Sequence, residues 1–225
     1  MLVVMFISGF LWVFLGNTNT TEPTPTPTII PDGVTLIANG TSCSGTGNPK
    51  VFFFTDPYCP ACEATEPSID RFVNNFSGVA NISYRIVLTH SSSMIKTYGE
   101  ENVTIAHKYF LCVQDQGLNK LQSFKTLFYD NLKDDGNDYI PFNQTQLDGF
   151  ADQVGVNKNE LQSCLTTAEP RISADIQDAM KYGGGTYGTP TMVLDCQYLT
   201  HSVNADIAFC HFYPNTQPCY ITTIA

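Results

Sequence analysis

Positive charge is scarce in this chain. Eleven Lys and Arg stand against 21 Asp and Glu, a net charge of −10 over 225 residues. Cations spread so thinly cannot form a patch that grips a phosphate backbone or an anionic membrane surface, which excludes nucleic-acid binding. A second C-x-x-C is absent, and His90, His107, His201 and His211 show no paired ligand spacing, so a zinc site lacks half its ligands. The four histidines are expected at the surface or at the core edge. Gly183-Gly184-Gly185 lacks the Lys-Ser/Thr that completes a phosphate loop and reads as a hinge. No internal repeat is present, and no apolar run reaches the about 20 residues needed to cross a bilayer.

Cysteine is abundant: Cys43, Cys59, Cys62, Cys112, Cys164, Cys196, Cys210 and Cys219. Such usage implies disulfides outside the cytosol, and zinc or catalysis inside it. The N-terminus favours export. Residues 1–16 are nearly all apolar and uncharged, as in a signal anchor or signal peptide, although no Lys or Arg precedes them. Residues 17–33, beginning NTNTTEPTPTPT, alternate Thr and Pro and form an extended, solvated stalk. A stalk makes most sense behind a segment that stays in the membrane, so an anchor is favoured over a cleaved signal. Six Asn-x-Ser/Thr sequons, at Asn19, Asn39, Asn75, Asn81, Asn102 and Asn143, suit an exported glycoprotein.

Residues 34–225 form one domain. Val34–Ala38 is a short candidate strand, and Val51–Phe54 is a compact apolar run fit for a strand buried on both faces. A helix is expected from Cys59 to about Asn75, interrupted by Pro67, and Ile82–Leu88 is the next strand, giving a βαβ unit and an α/β class. Helical stripes follow at Val103/Ala106/Phe110/Val113, Leu121/Phe124/Phe128/Leu132 and Leu147/Phe150/Val154. Asn157 with Glu160 is an N-cap pair for a further helix, and Ile172, Ile176 and Met180 mark the last one. Thr191–Leu194 is a strand after a proline, so about 90 helical residues (about 94–186) split the sheet.

Cys59-Pro60-Ala61-Cys62 is the motif that carries chemistry. C-x-x-C alone is a weak signal; its place after a buried strand and at the start of a helix gives it weight. Free N–H groups and the positive end of the dipole stabilise a thiolate there, and Pro60 loses nothing in the first turn. Cys59 is then the nucleophile, and Cys62 lies close enough to resolve a mixed disulfide.

Asp56-Pro57-Tyr58-Cys59-Pro60-Ala61-Cys62, together with Gly188-Thr189-Pro190-Thr191, resembles the DsbA-like branch of the thioredoxin superfamily over about residues 45 to 200. The resemblance implies a thioredoxin-like fold with an inserted helical subdomain, in which Pro67 kinks the active-site helix. It implies a cis Thr189-Pro190 bond beside the redox pair, with Thr189 offering backbone groups to a substrate strand. Tyr58 is a further substrate-binding candidate, and in a non-catalytic binding protein it would belong to the interface. The only redox group is the Cys59–Cys62 disulfide, with no cofactor or metal. The implied activity is disulfide formation in exported, cysteine-containing proteins, recharged by a membrane oxidase of the DsbB or vitamin K epoxide reductase type. A reductase, an isomerase and a non-catalytic, disulfide-stapled surface binding protein are the alternatives. One departure is that the buried acid many relatives carry six residues before the first cysteine is here Phe53, which leaves its proton-moving task to water or to a group such as Glu63.

The remaining six cysteines allow three structural disulfides and 15 pairings. Cys112 and Cys164, both in apolar-flanked helical positions, are the favoured pair. Cys196, Cys210 and Cys219 crowd the C-terminal tail, with Cys43 as a fourth.

Overall fold

The computed structural model describes residues 4–7, 10–13 and 30–219. Val4–Ile7 (β1) and Phe10–Val13 (β2) pair antiparallel, so the apolar run expected as a signal segment contains a short hairpin. Of the expected stalk, residues 17–29 lie outside the described residues, as do 220–225 of the tail. Among the described residues no helix is long and apolar enough to cross a membrane.

The domain is a mixed five-stranded sheet with an inserted helical region. Its strands are Val34–Leu36 (β3), Lys50–Thr55 (β4), Asn81–Ile86 (β5), Thr191–Leu194 (β6) and Tyr198–His201 (β7), in the order β3-β7-β6-β4-β5. β4 runs parallel to β5 and antiparallel to β6, with Phe53 opposite both Tyr84 and Met192. Lying between β6 and β5, β4 is covered on both faces, which explains its unbroken apolar run. Val51 and Phe53 face the larger core, which contains Phe72 and Phe76, while Phe52 and Phe54 face a smaller one with Val87, Ala179 and Val193.

Pro60–Phe76 (α1) follows β4. Pro67 sits inside α1 without ending it, contrary to the expected interruption. Its ring is on the exposed side, so the carbonyl it leaves without an intrahelical donor can turn to solvent. The insertion comprises Ser91–Tyr98 (α2), Glu100–Gln114 (α3), Leu118–Asn131 (α4), Gln144–Gln153 (α5), Lys158–Leu165 (α6) and Ala168–Tyr182 (α7). Asn143 forms a capping box with Gln146, and Asn157 caps α6 through the Asn159 and Glu160 amides. On α7 the expected stripe is corrected: Met180 is exposed, and Asp175 and Ala179 are buried. Asp175 accepts the Ile86 amide and the Arg85 guanidinium, so a carboxylate occupies the sheet-facing side.

The tail is more ordered than its cysteine count suggested, for it supplies β7 and then Ala205–Phe212 (α8). The β6–β7 hairpin turns on Asp195 and Cys196, both at positive φ, with the Gln197 amide bonded to the Leu194 carbonyl. Two left-handed residues match the right-handed twist of the strands. The Cys43–Cys196 disulfide ties this turn to the loop after β3, and Gly40 lies so close that a Cβ would meet the Cys196 carbonyl at 2.7 Å. Cys112–Cys164 joins α3 to α6, and Cys210–Cys219 closes the tail onto α8. Asn39, Asn75, Asn81, Asn102 and Asn143 are all exposed, and Asn19 lies outside the described residues.

Candidate active site

The site forms where β4 runs out and α1 begins. Cys59 is the N-cap of α1 in extended conformation and Pro60 is its first helical residue. Pro has no N–H to satisfy, and its fixed φ suits a first turn. The Cys59 carbonyl accepts from the Cys62 and Glu63 amides at 2.9 and 3.1 Å, closing that turn. Cys59 and Cys62 are the two thiols, while the other six cysteines form three disulfides. Cys59 retains 7% of its surface and Cys62 none. Cys59 is therefore the less enclosed of the two.

The environment drives the two thiols apart. Cys59 is pulled down from an ordinary 9.0 to about 6, chiefly because the Cys62 thiol donates to it. Burial opposes this, while Thr189 and the amides of Cys62 and Ala61 reinforce it. Those amides lie in the first turn of α1, at the positive end of the helix dipole. Cys62 is pushed far up, first by burial and then by the sulfur of Cys59. One thiol is thus a thiolate at neutral pH and the other stays protonated.

The cis Thr189-Pro190 bond, 130 residues further along, lies against this pair, with the Thr189 carbonyl 3.6 Å from Cys59 Sγ. A buried carboxylate brings the two segments together. Asp56 accepts the Tyr58 amide at 3.0 Å, the Thr89 amide at 2.8 Å, the Ser91 amide at 2.9 Å and both hydroxyls of Thr89 and Ser91. His107 Nε2 lies 3.2 Å from it, and Nδ1 faces the Val103 carbonyl. Burial alone would raise the Asp56 pKa; His107 and the Ser91 donors outweigh it and hold the carboxyl well below its usual range. From Asp56 the chain continues through Thr89 Oγ1 to Thr189 Oγ1 at 2.6 Å.

Two sequence expectations are corrected here. Tyr58 is not on a substrate-facing surface: it is fully buried against Phe128 and His107, and its hydroxyl accepts the Phe142 amide. The position before Cys59 points inward because the loop has to cover the helical layer. His107 is no core-edge residue; it is completely buried against Asp56. Asp56 was visible in the motif without a role. The available signal was a carboxylate directly after a strand with no polar residue to pair with it.

Phe53 lies in the core against Phe72 and Tyr84, so no acid stands at that point of the strand. Glu63 faces outward and accepts the Tyr139 hydroxyl at 2.6 Å, which pins the α4–α5 loop over the start of α1 beside a His90–Asp138 pair. One turn beyond Cys62, Glu66 is buried and pairs with Lys125 of α4. Among the described residues no group of three or more His, Cys, Asp or Glu could hold a metal ion.

A mixed sheet split by a helical insertion, with a C-x-x-C at a helix N-terminus beside a cis-proline, defines the DsbA-like thioredoxin fold. The fold is similar to that of a single-residue variant of Pseudomonas aeruginosa DsbA, with a TM-score of 0.59 and 15% identity over 81% of this chain and 96% of that one. The oxidoreductase DsbA from Xylella fastidiosa matches with a TM-score of 0.58 and 14% identity, over 82% and 96% of the two chains. The thiol–disulfide exchange protein alpha-DsbA2 from Wolbachia pipientis matches with 0.52 and 16%, over 74% and 82%. No protein-family model matches the chain, and no curated protein does.

Proposed function

We propose that the chain is a thiol–disulfide oxidoreductase acting outside the cytoplasm as an oxidase that introduces disulfides into exported proteins. The observation that carries the reading is the opposite displacement of two neighbouring thiols, the less enclosed one pulled down towards ionisation and the wholly buried one pushed up. A substrate thiolate attacks Cys59 Sγ of the oxidised pair, Cys62 leaves, and a second substrate thiol then releases Cys59 as the stable thiolate. Thr189 and Pro190 dock the extended substrate beside Cys59. Three further disulfides support an oxidising compartment. The partners are cysteine-containing exported chains and a membrane oxidase of the DsbB or vitamin K epoxide reductase type, with the N-terminal segment as a tether.

Direction is the finer part of the reading. A thiolate favoured in the reduced form makes the disulfide a better oxidant, because reduction gains what ionisation supplies. The test is the equilibrium potential of the Cys59–Cys62 pair in glutathione buffers at pH 7. A value towards about −120 mV supports an oxidase, and one near the about −270 mV of thioredoxin makes the protein a reductase. Cys59→Ser should abolish exchange, and Cys62→Ser should trap mixed disulfides with substrates. Full activity of the Cys59→Ser protein would end the reading.

A further inference from the structure

Gly183-Gly184-Gly185 joins α7 to the cis-proline segment, and two of the three glycines stand at positive φ. Glycine constrains a chain little, so the place of residues 186–190 depends on what they bond to. Two bonds run to the segment after β5. The Tyr187 hydroxyl donates to the Leu88 carbonyl at 3.2 Å, and the Thr89 and Thr189 hydroxyl oxygens lie 2.6 Å apart. Asp56 fixes the direction of the second. An ionised carboxylate only accepts, so the Thr89 hydroxyl gives its one proton to Asp56 Oδ2 at 3.2 Å and accepts from Thr189. The Thr89 amide, at 2.8 Å from the same oxygen, anchors the residue a second time. The main chain of Thr189 is meanwhile left open. Among the described residues its amide donates to no group, and its carbonyl meets only Cys59 Sγ, at 3.6 Å. An unpaired backbone donor and acceptor beside a reactive sulfur form an edge with which an extended peptide can pair.

Resting on the oxidoreductase reading, in which Thr189 receives the substrate, we propose that Thr89 is a positioning residue that holds this open main chain beside Cys59 through its hydroxyl bridge to Thr189. It acts through Thr189 and on no reacting atom. Without the bridge, the Tyr187 hydroxyl makes the remaining hydrogen bond between the two segments among the described residues, and it grips the loop two residues before Thr189. The hydrogen bonds that a peptide makes to Thr189 then no longer bring its sulfur to Cys59 at a set distance, and misplacement slows exchange. A small dithiol has no extended chain to align, so its reaction depends on the two sulfurs of the redox pair alone. Thr89 thereby favours cysteines carried on extended polypeptide over free thiols. Asp56 does not need the Thr89 hydroxyl to stay satisfied: the amides of Tyr58, Thr89 and Ser91, the Ser91 hydroxyl and His107 remain. The hydroxyl is thus separable from the anchor of the fold.

The test follows reduction of the Cys59–Cys62 disulfide in the oxidised full chain by two probes, dithiothreitol and an unstructured peptide carrying two cysteines, with acid quenching and mass spectrometry. In either case the probe's two thiols become a disulfide as Cys59 and Cys62 become thiols. Thr89→Val keeps the shape and removes the hydroxyl. It should slow the peptide about tenfold, the worth of one neutral hydrogen bond, and dithiothreitol by no more than about twofold. Thr89→Ser restores the hydroxyl and should restore the peptide rate. Thr189→Val breaks the same bridge from its other end, so the double variant should be no slower with the peptide than either single variant. Equal slowing of both probes, a wild-type peptide rate in folded Thr89→Val, or additive losses in the double variant would each overturn the proposal. Should Thr89→Val fail to fold, a peptide rate in Thr189→Val that falls no further than its dithiothreitol rate would overturn it as well. A wild-type disulfide that oxidises neither probe would instead overturn the oxidoreductase reading.

Discussion

The pH dependence of the reduction potential tests the ionisation of Cys59 directly. The oxidised pair has no thiol to titrate, whereas the reduced pair has one at about 6 and another far higher. A depressed folded pKa stabilises the reduced form above that pKa, and the gain is lost as pH falls through it. Below pH 6 two protons accompany two electrons, so the potential should fall by about 59 mV per pH unit; above 6 only one proton does, and the slope should halve to about 30 mV. At pH 7 a thiol titrating at 6 in place of 9 favours the reduced form about tenfold, or ~1.4 kcal/mol and ~30 mV. The full effect of ~4 kcal/mol and ~90 mV is reached only above pH 9, where an ordinary thiol would also be ionised. Equilibration with glutathione or dithiothreitol at fixed pH, quenching in acid and separation of the two forms measures it. A slope that stays at about 59 mV per pH unit from pH 6 to 8 would refute the thiolate assignment and remove the main physical support for an oxidase.

Further outcomes follow from individual groups. Cys62→Ala removes the donor that contributes most to the Cys59 shift while leaving the helix amides; a hydrogen bond to a charged group is worth about 1.5–3 kcal/mol, so the midpoint of iodoacetamide reactivity should rise by one to two pH units. A midpoint that stays near 6 would assign the shift to the helix terminus alone. Replacing the disulfides pairwise by Ala should cost most where the closed loop is longest. By chain entropy the 153-residue Cys43–Cys196 loop is worth about 5 kcal/mol, the 52-residue Cys112–Cys164 loop about 4, and the 9-residue Cys210–Cys219 loop about 2.5. Urea unfolding of the three pair variants checks the order, and equal losses would place the stabilisation in native packing instead.

Much of the fold was legible because its signals are local. The β4 apolar run, the cap at Asn157 and the stripes of α3 and α4 each state their element within a few residues. Cys112–Cys164 was legible for the same reason, since both cysteines fall on helices with apolar neighbours. What stayed hidden depends on distant partners. β7 and α8 lie in a stretch whose cysteines outweighed its pattern, and Tyr198–His201 becomes a strand through pairing with β6 and β3. Asp175 broke the α7 stripe because it serves an amide of β5 at sequence separation 89. Sequence periodicity records which side chains avoid water, and has no mark for a carboxylate buried to satisfy a backbone donor.

The same distinction explains the site. The motif around Cys59 and the Thr189-Pro190 pair are each recognisable, yet nothing in either states what holds them together. That task falls to Asp56. A carboxylate wholly removed from water is tolerable only when its lone pairs are filled, and donors from Tyr58, Thr89, Ser91 and His107 fill them. These donors belong to the active-site loop, the segment after β5 and the buried face of α3. Any loop that shifts leaves Asp56 under-satisfied, at about 1–3 kcal/mol or more for a charged group. Through Thr89 the same penalty extends to Thr189, so the residue before the cis-proline is held in register with Cys59 by a buried carboxylate.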